Sequence, residues 1–356
     1  NASSGDKHSA NSKGALPNRY CLGLLTLKPG LFTAQGRDAA GEVWFDDLGC
    51  APTEEAPIAT LAGKPLATPR THASHKGSYG DVAVIGGAPG MVGAALLAAS
   101  AALHSGAGRV LLGLLDPHAA RVDTQQPELM LRKAEPLDLS QLTVVCGCGG
   151  GTAVRSLLPR IIATAKSLVL DADALNVISL DVSLQQSLEA RLRRGRATVL
   201  TPHPLEAARL LGVSTSEVQS DRLTAARTLA ARFGVVVLKG SGSIVAGSSA
   251  APTINLTGNA RLATAGTGDV LAGMVGAALA GGRPALYAAR EAVWRHGALA
   301  DLWPDDQPLT AGGLAELNLQ VRANSKSAAT YERHLGCHDR VEQHVGLERQ
   351  VSHIQH

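Results

Sequence analysis

Thr257-Gly-Asn-Ala-Arg-Leu-Ala-Thr-Ala-Gly-Thr-Gly-Asp269 runs straight into residues 270–280, a block of small and aliphatic side chains without charge or proline. Such a block reads as a buried helix, so Gly266-Thr-Gly-Asp269 falls at a helix N-terminus. The first N–H groups there lack intrahelical acceptors, and the helix dipole favours an anion. Gly266 and Gly268 have no side chain to hold a phosphate away. A carboxylate beside that phosphate is repelled by it, so Asp269 needs a separate role. It could take a proton from an attacking hydroxyl or hold a magnesium ion. It could equally be a plain N-cap with no chemistry.

Outward from this segment, residues 77–238 alternate strand and helix. The pattern predicts strands at 81–85, 109–114, 142–146, 168–170, 198–200 and 235–238. It predicts helices at 93–103, 154–165, 184–193, 205–211 and 217–232, with a closing helix at 290–302. The alternation predicts an α/β fold with a parallel sheet covered by helices on both faces. Ligands in such folds bind at the carboxyl ends of strands.

The residues just after the strands are therefore the candidates. Gly86-Gly-Ala-Pro-Gly-Met-Val-Gly-Ala94 is a glycine-rich turn that could hold a phosphate or simply turn tightly. Gly147-Cys-Gly-Gly-Gly151 requires backbone to approach something closely. Cys146 and Cys148 invite a zinc reading, which the lack of a second cysteine pair argues against. Leu170-Asp-Ala-Asp-Ala-Leu-Asn176 has a cap-and-turn composition that also suits a polar site. Thr201-Pro-His-Pro204 fixes a histidine between prolines, for a site or for a structural hydrogen bond. Lys239-Gly-Ser-Gly-Ser243 joins a cation to donor-rich backbone, as a nucleotide phosphate requires, although a lone loop lysine is ordinarily just solvated.

Composition narrows the partners. The 356 residues are 45% hydrophobic and 18% charged, with a net charge of +3 and 3% aromatics. That balance permits a sizeable core and argues against a basic, ring-stacking nucleic-acid surface. Five irregularly spaced cysteines fit a reducing compartment, hence a cytoplasmic location, rather than a disulfide framework. The longest apolar runs are too short to span a bilayer, and no signal peptide is visible. Residues 1–21 are polar and expected to be disordered, as are residues 317–356. Residues 22–33 and 42–46 read as two short strands around a turn at 35–38, and residues 50–71 as a linker.

Taken together, Tyr79-Gly-Asp-Val-Ala-Val-Ile-Gly-Gly, Leu170-Asp-Ala-Asp-Ala-Leu-Asn, Thr201-Pro-His-Pro-Leu-Glu-Ala-Ala-Arg-Leu-Leu-Gly, Val237-Leu-Lys-Gly and Gly266-Thr-Gly-Asp resemble the NAD(P)H-hydrate dehydratase branch of the ribokinase-like superfamily. The resemblance covers residues 72–316. It implies a ribokinase-like fold, with a central, mostly parallel sheet and helices on both faces. It implies repair of the S epimer of hydrated NADH and NADPH (NADHX and NADPHX), with ADP as phosphoryl donor, Mg2+ as cofactor, and AMP and phosphate as products. It further implies that Asp269 deprotonates the hydroxyl while N–H groups of Gly266–Gly268 stabilise the transferring phosphoryl. Ala94, Gly149, His203 and Asp269 would then face the hydrated dinucleotide, and Lys239, Gly240, Ser241, Gly242, Ser243 and Gly268 the nucleotide. Asn259 and Asp173 would orient ligands or metal. Residues 22–49 resemble the end of the epimerase domain that precedes the dehydratase in bifunctional versions, and the polar run upstream of Leu22 leads to the expectation of no epimerase activity.

Partners are expected to be small molecules, with neither nucleic acid nor membrane, and the assembly a homo-oligomer, a tetramer being one form. Two rivals stay open from sequence. One is a small-molecule kinase of the same superfamily, which would release a stable phosphorylated alcohol. The other is a non-catalytic nucleotide-binding protein in which Asp269 only caps its helix.

Overall fold

The computed structural model describes residues 19–51, 55–66 and 72–316. The upstream part holds β1 (Tyr20–Leu24), α1 (Ala34–Ala40), β2 (Glu42–Asp46) and β3 (Thr60–Leu61). Then follow β4 (Asp81–Gly86), α2 (Val92–His104), β5 (Arg109–Leu114), β6 (Met130–Leu131), β7 (Thr143–Cys146), α3 (Leu158–Thr164), β8 (Ser167–Leu170) and α4 (Ala172–Ser179). Next come α5 (Val182–Arg193), β9 (Thr198–Leu200), α6 (Pro204–Leu211), α7 (Thr215–Ser220), α8 (Arg222–Phe233) and β10 (Val235–Leu238). The chain closes with β11 (Ile244–Ala246), β12 (Thr253–Ile254), α9 (Thr267–Ala280), α10 (Ala285–Asp301) and α11 (Ala311–Glu316).

Ten strands form one sheet in the order β3-β12-β11-β10-β9-β8-β7-β4-β5-β6. The β10–β11 and β11–β12 pairs are antiparallel and the other neighbours parallel. Central strands are continuously apolar because both faces are covered. In β4, Val82 and Val84 join the core beneath α2, α9, α10 and α11, whereas Ala83 and Ile85 join the core beneath α3–α8. This is the α/β arrangement read from the sequence. Strand order reverses at β4, with β5 on one side and β7 on the other, which opens a crevice at their carboxyl ends. The loops leaving β4 and β7 are laced there: Gly87 N–H donates to the Cys148 carbonyl at 3.0 Å, and Ala88 N–H to the Gly149 carbonyl at 2.7 Å.

Several local expectations are corrected. Residues 35–38 are not a turn but lie within α1, which connects two parallel strands, β1 and β2. The first upstream strand stops at Leu24, and Pro29–Phe32 forms a 3-10 turn that Pro29 starts. Within the stretch read as linker, β3 pairs with β12 and closes one edge of the sheet. Residues 217–232 are two helices, since Asp221 caps α8 through its carboxylate and breaks the run. Residues 172–176 are helical, not a turn, and 151–156 is a 3-10 turn preceding α3. The tail at 317–356 and residues 1–18 lie outside the described residues, while β1 begins at Tyr20, inside the stretch read as disordered. The β1–β2 pair leaves Tyr20, Leu22 and Leu24 exposed.

Candidate active site

The N-terminus of α9 is fixed by three tethers. Thr267 Oγ1 donates to the carbonyls of Leu262 and Thr264 at 2.8 and 2.9 Å. His296, buried in α10, donates from Nε2 to the Thr267 carbonyl at 2.9 Å. Burial pushes His296 down to about 4, so it holds this bond as a neutral ring near pH 7. The N-cap is Gly266 and no side chain caps the helix, so Asp269 stands in the first turn and is not the cap. The N–H groups of Gly266 and Gly268 have no acceptor among the described residues. They are free for an anion, as a helix N-terminus permits.

Around Asp269 the ends of four strands converge. Asp171, immediately after β8, is buried, and Lys239, immediately after β10, places Nζ 2.7 Å from Asp171 Oδ1. Thr201, after β9, donates its hydroxyl to the same oxygen at 2.8 Å. Lys239 Nζ is 3.3 Å from where a Cβ on Gly268 would stand, so this ion pair lies against the start of α9. Cys148, in the loop after β7, completes the group: its Sγ and carboxylate oxygens of Asp171 and Asp269 lie within 4.8 Å of one another. Burial, then the charge of Asp171, pushes Asp269 up to about 6, against opposing contributions from the Cys148 thiol and Lys239. A carboxylate titrating near 6 is ionised at neutral pH yet basic enough to accept a proton in a transition state. Burial and both carboxylates hold the Cys148 thiol well above its ordinary range, so it stays protonated. Ala172, next to Asp171, has φ 48, a left-handed conformation that costs a non-glycine residue about 1 kcal/mol.

The loop at 239–243 joins β10 to β11. The N–H groups of Gly240, Ser241 and Gly242 have no acceptor among the described residues, which suits an anion-binding concavity on the turn that Ser241 and Gly242 form. Lys239 is not a solvated loop cation but is part-buried and paired with the buried Asp171. Gly242 has φ +64, and a Cβ there would come within 1.9 Å of the Phe32 carbonyl. The upstream segment thus forms one wall of the loop, with Ala34 N–H donating to the Ser241 carbonyl at 3.0 Å.

Ala94 and Gly149 are brought together at the crevice. Gly149 has φ +57, and a Cβ on it would meet the Met91 carbonyl at 2.5 Å and Ala94 Cβ at 2.9 Å. His203 begins α6: its Nδ1 accepts from the N–H groups of Leu205 and Glu206 at 3.1 and 3.3 Å, and Glu206 Oε2 accepts from His203 N–H at 2.7 Å. That box leaves the ring half-exposed with Nε2 protonated. Burial, followed by Lys239, lowers the His203 pKa, while burial pushes Glu206 up to about 7. Asp173 accepts from Gly151 N–H at 2.8 Å and so shapes the loop after β7. Asn259 is occupied in capping and in bonds to α10, donating to the Ala300 carbonyl and Asp301.

Asp171, Thr201, Cys148 and Glu206 were not assigned to the site from sequence, although Cys148 was weighed as a zinc ligand and Asp171 lay in a stretch that suited a polar site. Their signal was position, since the first three stand in the first two positions after β7, β8 and β9. Cys146 and Cys148 belong to opposite cores and share no ligand group. A separate cavity of about 280 Å³, between α2, α9, α10 and α11, includes none of the expected site residues.

A sheet with these carboxyl-end loops around an N-terminal helix carboxylate defines a ribokinase-like protein. A ribokinase-like superfamily protein of Enterococcus faecalis has the same fold, with a TM-score of 0.59 at 24% identity, over 75% of this chain and 92% of that one. Residues 82–318 match the family described as NAD(P)H-hydrate dehydratase, and the chain belongs to that family. It is 45% identical over 255 residues to an ADP-dependent (S)-NAD(P)H-hydrate dehydratase of Neisseria meningitidis, covering 69% of this chain and 84% of that protein. It is 36% identical to a bifunctional NAD(P)H-hydrate repair enzyme of Escherichia coli, where the match covers 80% of this chain and spans 56% of the relative's length. The structure of an ADP/ATP-dependent NAD(P)H-hydrate dehydratase from Bacillus subtilis, co-crystallized with ATP/Mg2+, matches with a TM-score of 0.59 at 29% identity, over 78% of this chain and 95% of that one.

Proposed function

We propose that this protein is an ADP-dependent (S)-NAD(P)H-hydrate dehydratase in which Asp269 is the general base. The dehydration of NADHX and NADPHX at the expense of ADP accords with the family and with the Neisseria meningitidis relative. The residue assignment is carried by one observation: a carboxylate pushed up to about 6 at a helix N-terminus where the N–H groups of Gly266 and Gly268 have no acceptor among the described residues.

A hydroxyl on a saturated ring carbon leaves poorly, and phosphorylation makes it a good leaving group. In this reading the substrate hydroxyl oxygen attacks the β-phosphorus of ADP, AMP departs, and Asp269 takes the hydroxyl proton. The C–O bond then breaks with the electron pair going to phosphate, assisted by the ring nitrogen. Loss of a proton from the neighbouring carbon restores the reduced nicotinamide. Gly266 and Gly268 donate N–H groups to the charge spread over the transferring phosphoryl, a transfer that depends mainly on positioning and electrostatics. Lys239 and the loop from Gly240 to Ser243 hold the nucleotide. Ala94, Gly149 and His203 border the dinucleotide, and the tight Gly149–Ala94 contact leaves the crevice wall without bulk.

Magnesium belongs to this proposal. A hard cation takes oxygen ligands, and Oδ2 of Asp171, which neither Thr201 nor Lys239 uses, suits it together with phosphate oxygens and water, whereas the protonated Cys148 thiol does not. When bound, the ion neutralises phosphate charge. A homo-oligomer, such as a tetramer, and a cytoplasmic location are proposed likewise; the four described cysteines are all free thiols. No helix among the described residues is long and apolar enough to cross a membrane.

The test is recovery of reduced-nicotinamide absorbance from hydrated NADH with magnesium and ADP, ATP or no nucleotide, with released phosphate assayed in parallel. Recovery with ADP, accompanied by AMP and phosphate, is expected. A stable phosphorylated alcohol without recovery would overturn the dehydratase in favour of a kinase.

A further inference from the structure

Two arginines are buried among the described residues, and they are not alike. Arg191, in α5, donates from Nε to Thr198 Oγ1 and from its other nitrogens to the carbonyls of Ile162, Ala165, Lys166 and Ala197. Every nitrogen of that side chain has a partner. Arg222, at the start of α8, is 4% exposed and less well served. Its Nη1 donates to Gln219 Oε1 at 2.7 Å, and its Nη2 to the carbonyls of Leu238 and Lys239 at 3.2 Å and, more weakly, of Gly242 at 3.5 Å. Its Nε is buried with no partner, and no carboxylate among the described residues pairs with it.

The place of this uncompensated charge gives it a use. A Cβ on Gly240 would stand 3.1 Å from Arg222 Nη1 and 3.5 Å from its central carbon, so the guanidinium lies directly against the loop at 239–243. The carbonyls on one side of that loop are engaged by Arg222, while the N–H groups of Gly240, Ser241 and Gly242 have no acceptor among the described residues. A buried cation that has no carboxylate partner is costly, and its field is weakly screened by water. A phosphate seated on those N–H groups would supply the missing anion without touching the arginine.

We propose that Arg222 is a positioning residue of the nucleotide subsite, which fixes the loop by its carbonyls and favours a di- or triphosphate on its N–H face. This rests on reading residues 239–243 as the nucleotide loop. Calorimetric titration of ADP reads the subsite without requiring turnover, so failure of the dehydratase assay and failure of this role are separable. With Arg222→Met, ADP binding is expected to weaken by about tenfold or more, while binding of NADH, which probes the dinucleotide side, changes less than about twofold. Arg222→Lys, which keeps the charge and loses the fork, is expected to recover most of the ADP affinity. Where the Met variant does not fold, Arg222→Gln replaces it, since Gln retains donors without the charge. Unchanged ADP affinity in the neutral variant would overturn the proposal. So would a parallel loss of ADP and NADH binding, which marks a purely structural arginine, or the absence of ADP binding by the native protein.

Discussion

The two ends of the ten-stranded sheet solve the same problem in opposite ways. At the amino ends of β8 and β9, Arg191 satisfies the carbonyls of four residues and the Thr198 hydroxyl with complete use of its nitrogens. At the carboxyl ends, polar groups are left incomplete. Asp269 is held partly protonated near pH 6, Ala172 is strained, and among the described residues Arg222 Nε has no partner and two sets of backbone N–H groups have no acceptor. Incomplete polar satisfaction is expensive for folding and useful for binding. That end is also where the ligands of the proposed reaction would sit.

The largest expected effect breaks the chemistry and spares the fold. Asp269→Asn keeps shape but removes the proton acceptor, so turnover should fall by at least ~10³-fold with ADP binding retained. A variant within a few-fold of native activity would remove Asp269 from the role of base. Next comes the opposite end. Arg191→Met leaves buried carbonyls unpaired and should lower stability by about 3 kcal/mol, seen as a lower midpoint in urea unfolding, while the folded fraction keeps its KM values. If Arg191→Met changed KM for ADP, the division between a structural and a functional end would fail.

The pH profile sharpens the comparison on the functional side. A base must be ionised to act, and the Asp269 pKa is raised to about 6, so kcat/KM should rise with pH through about 6 and level off above it. The Cys148 thiol acts to lower that pKa, so Cys148→Ala should move the inflection to higher pH. An inflection that stays where it was would mean that Asp269 is not the group titrating. Glu206, raised to about 7, is the rival, and Glu206→Gln separates the two.

How far this contrast could be read from sequence depends on how local the signal is. Asp269, Lys239, Gly149 and the 240–243 loop were legible because each follows a strand or opens a helix, and glycine marks close approach. The pairing of Lys239 with Asp171 was not, because it joins residues 68 apart in sequence and exists only once β8 and β10 lie on either side of β9. Arg191 and Arg222 look in sequence like ordinary helix-surface arginines, and only packing shows them buried. The short strands β3, β6, β11 and β12, of two or three residues each, are too short to leave a periodic pattern. Helix α1 was hidden behind Gln-Gly-Arg-Asp, a turn composition, since tertiary contacts rather than propensity hold it.

Those contacts supply the smallest and most discriminating test. Phe32 is buried in the core beneath α3–α8, and Arg37 Nη2 donates to the carbonyls of Leu256 and Gly258 at 2.6 and 3.0 Å. The upstream segment therefore touches both the 239–243 loop and the stretch leading to α9. Water can replace a guanidinium at partly exposed carbonyls, so Arg37→Ala should cost only ~1–2 kcal/mol of local order. If that order serves the nucleotide loop, KM for ADP should rise about two- to fivefold with kcat nearly unchanged. A rise in KM for the hydrate instead would mean that the contact acts through residues 256–258 on the dinucleotide side. No change in either would leave the upstream segment as packing alone, and the functional end of the sheet would then be complete without it.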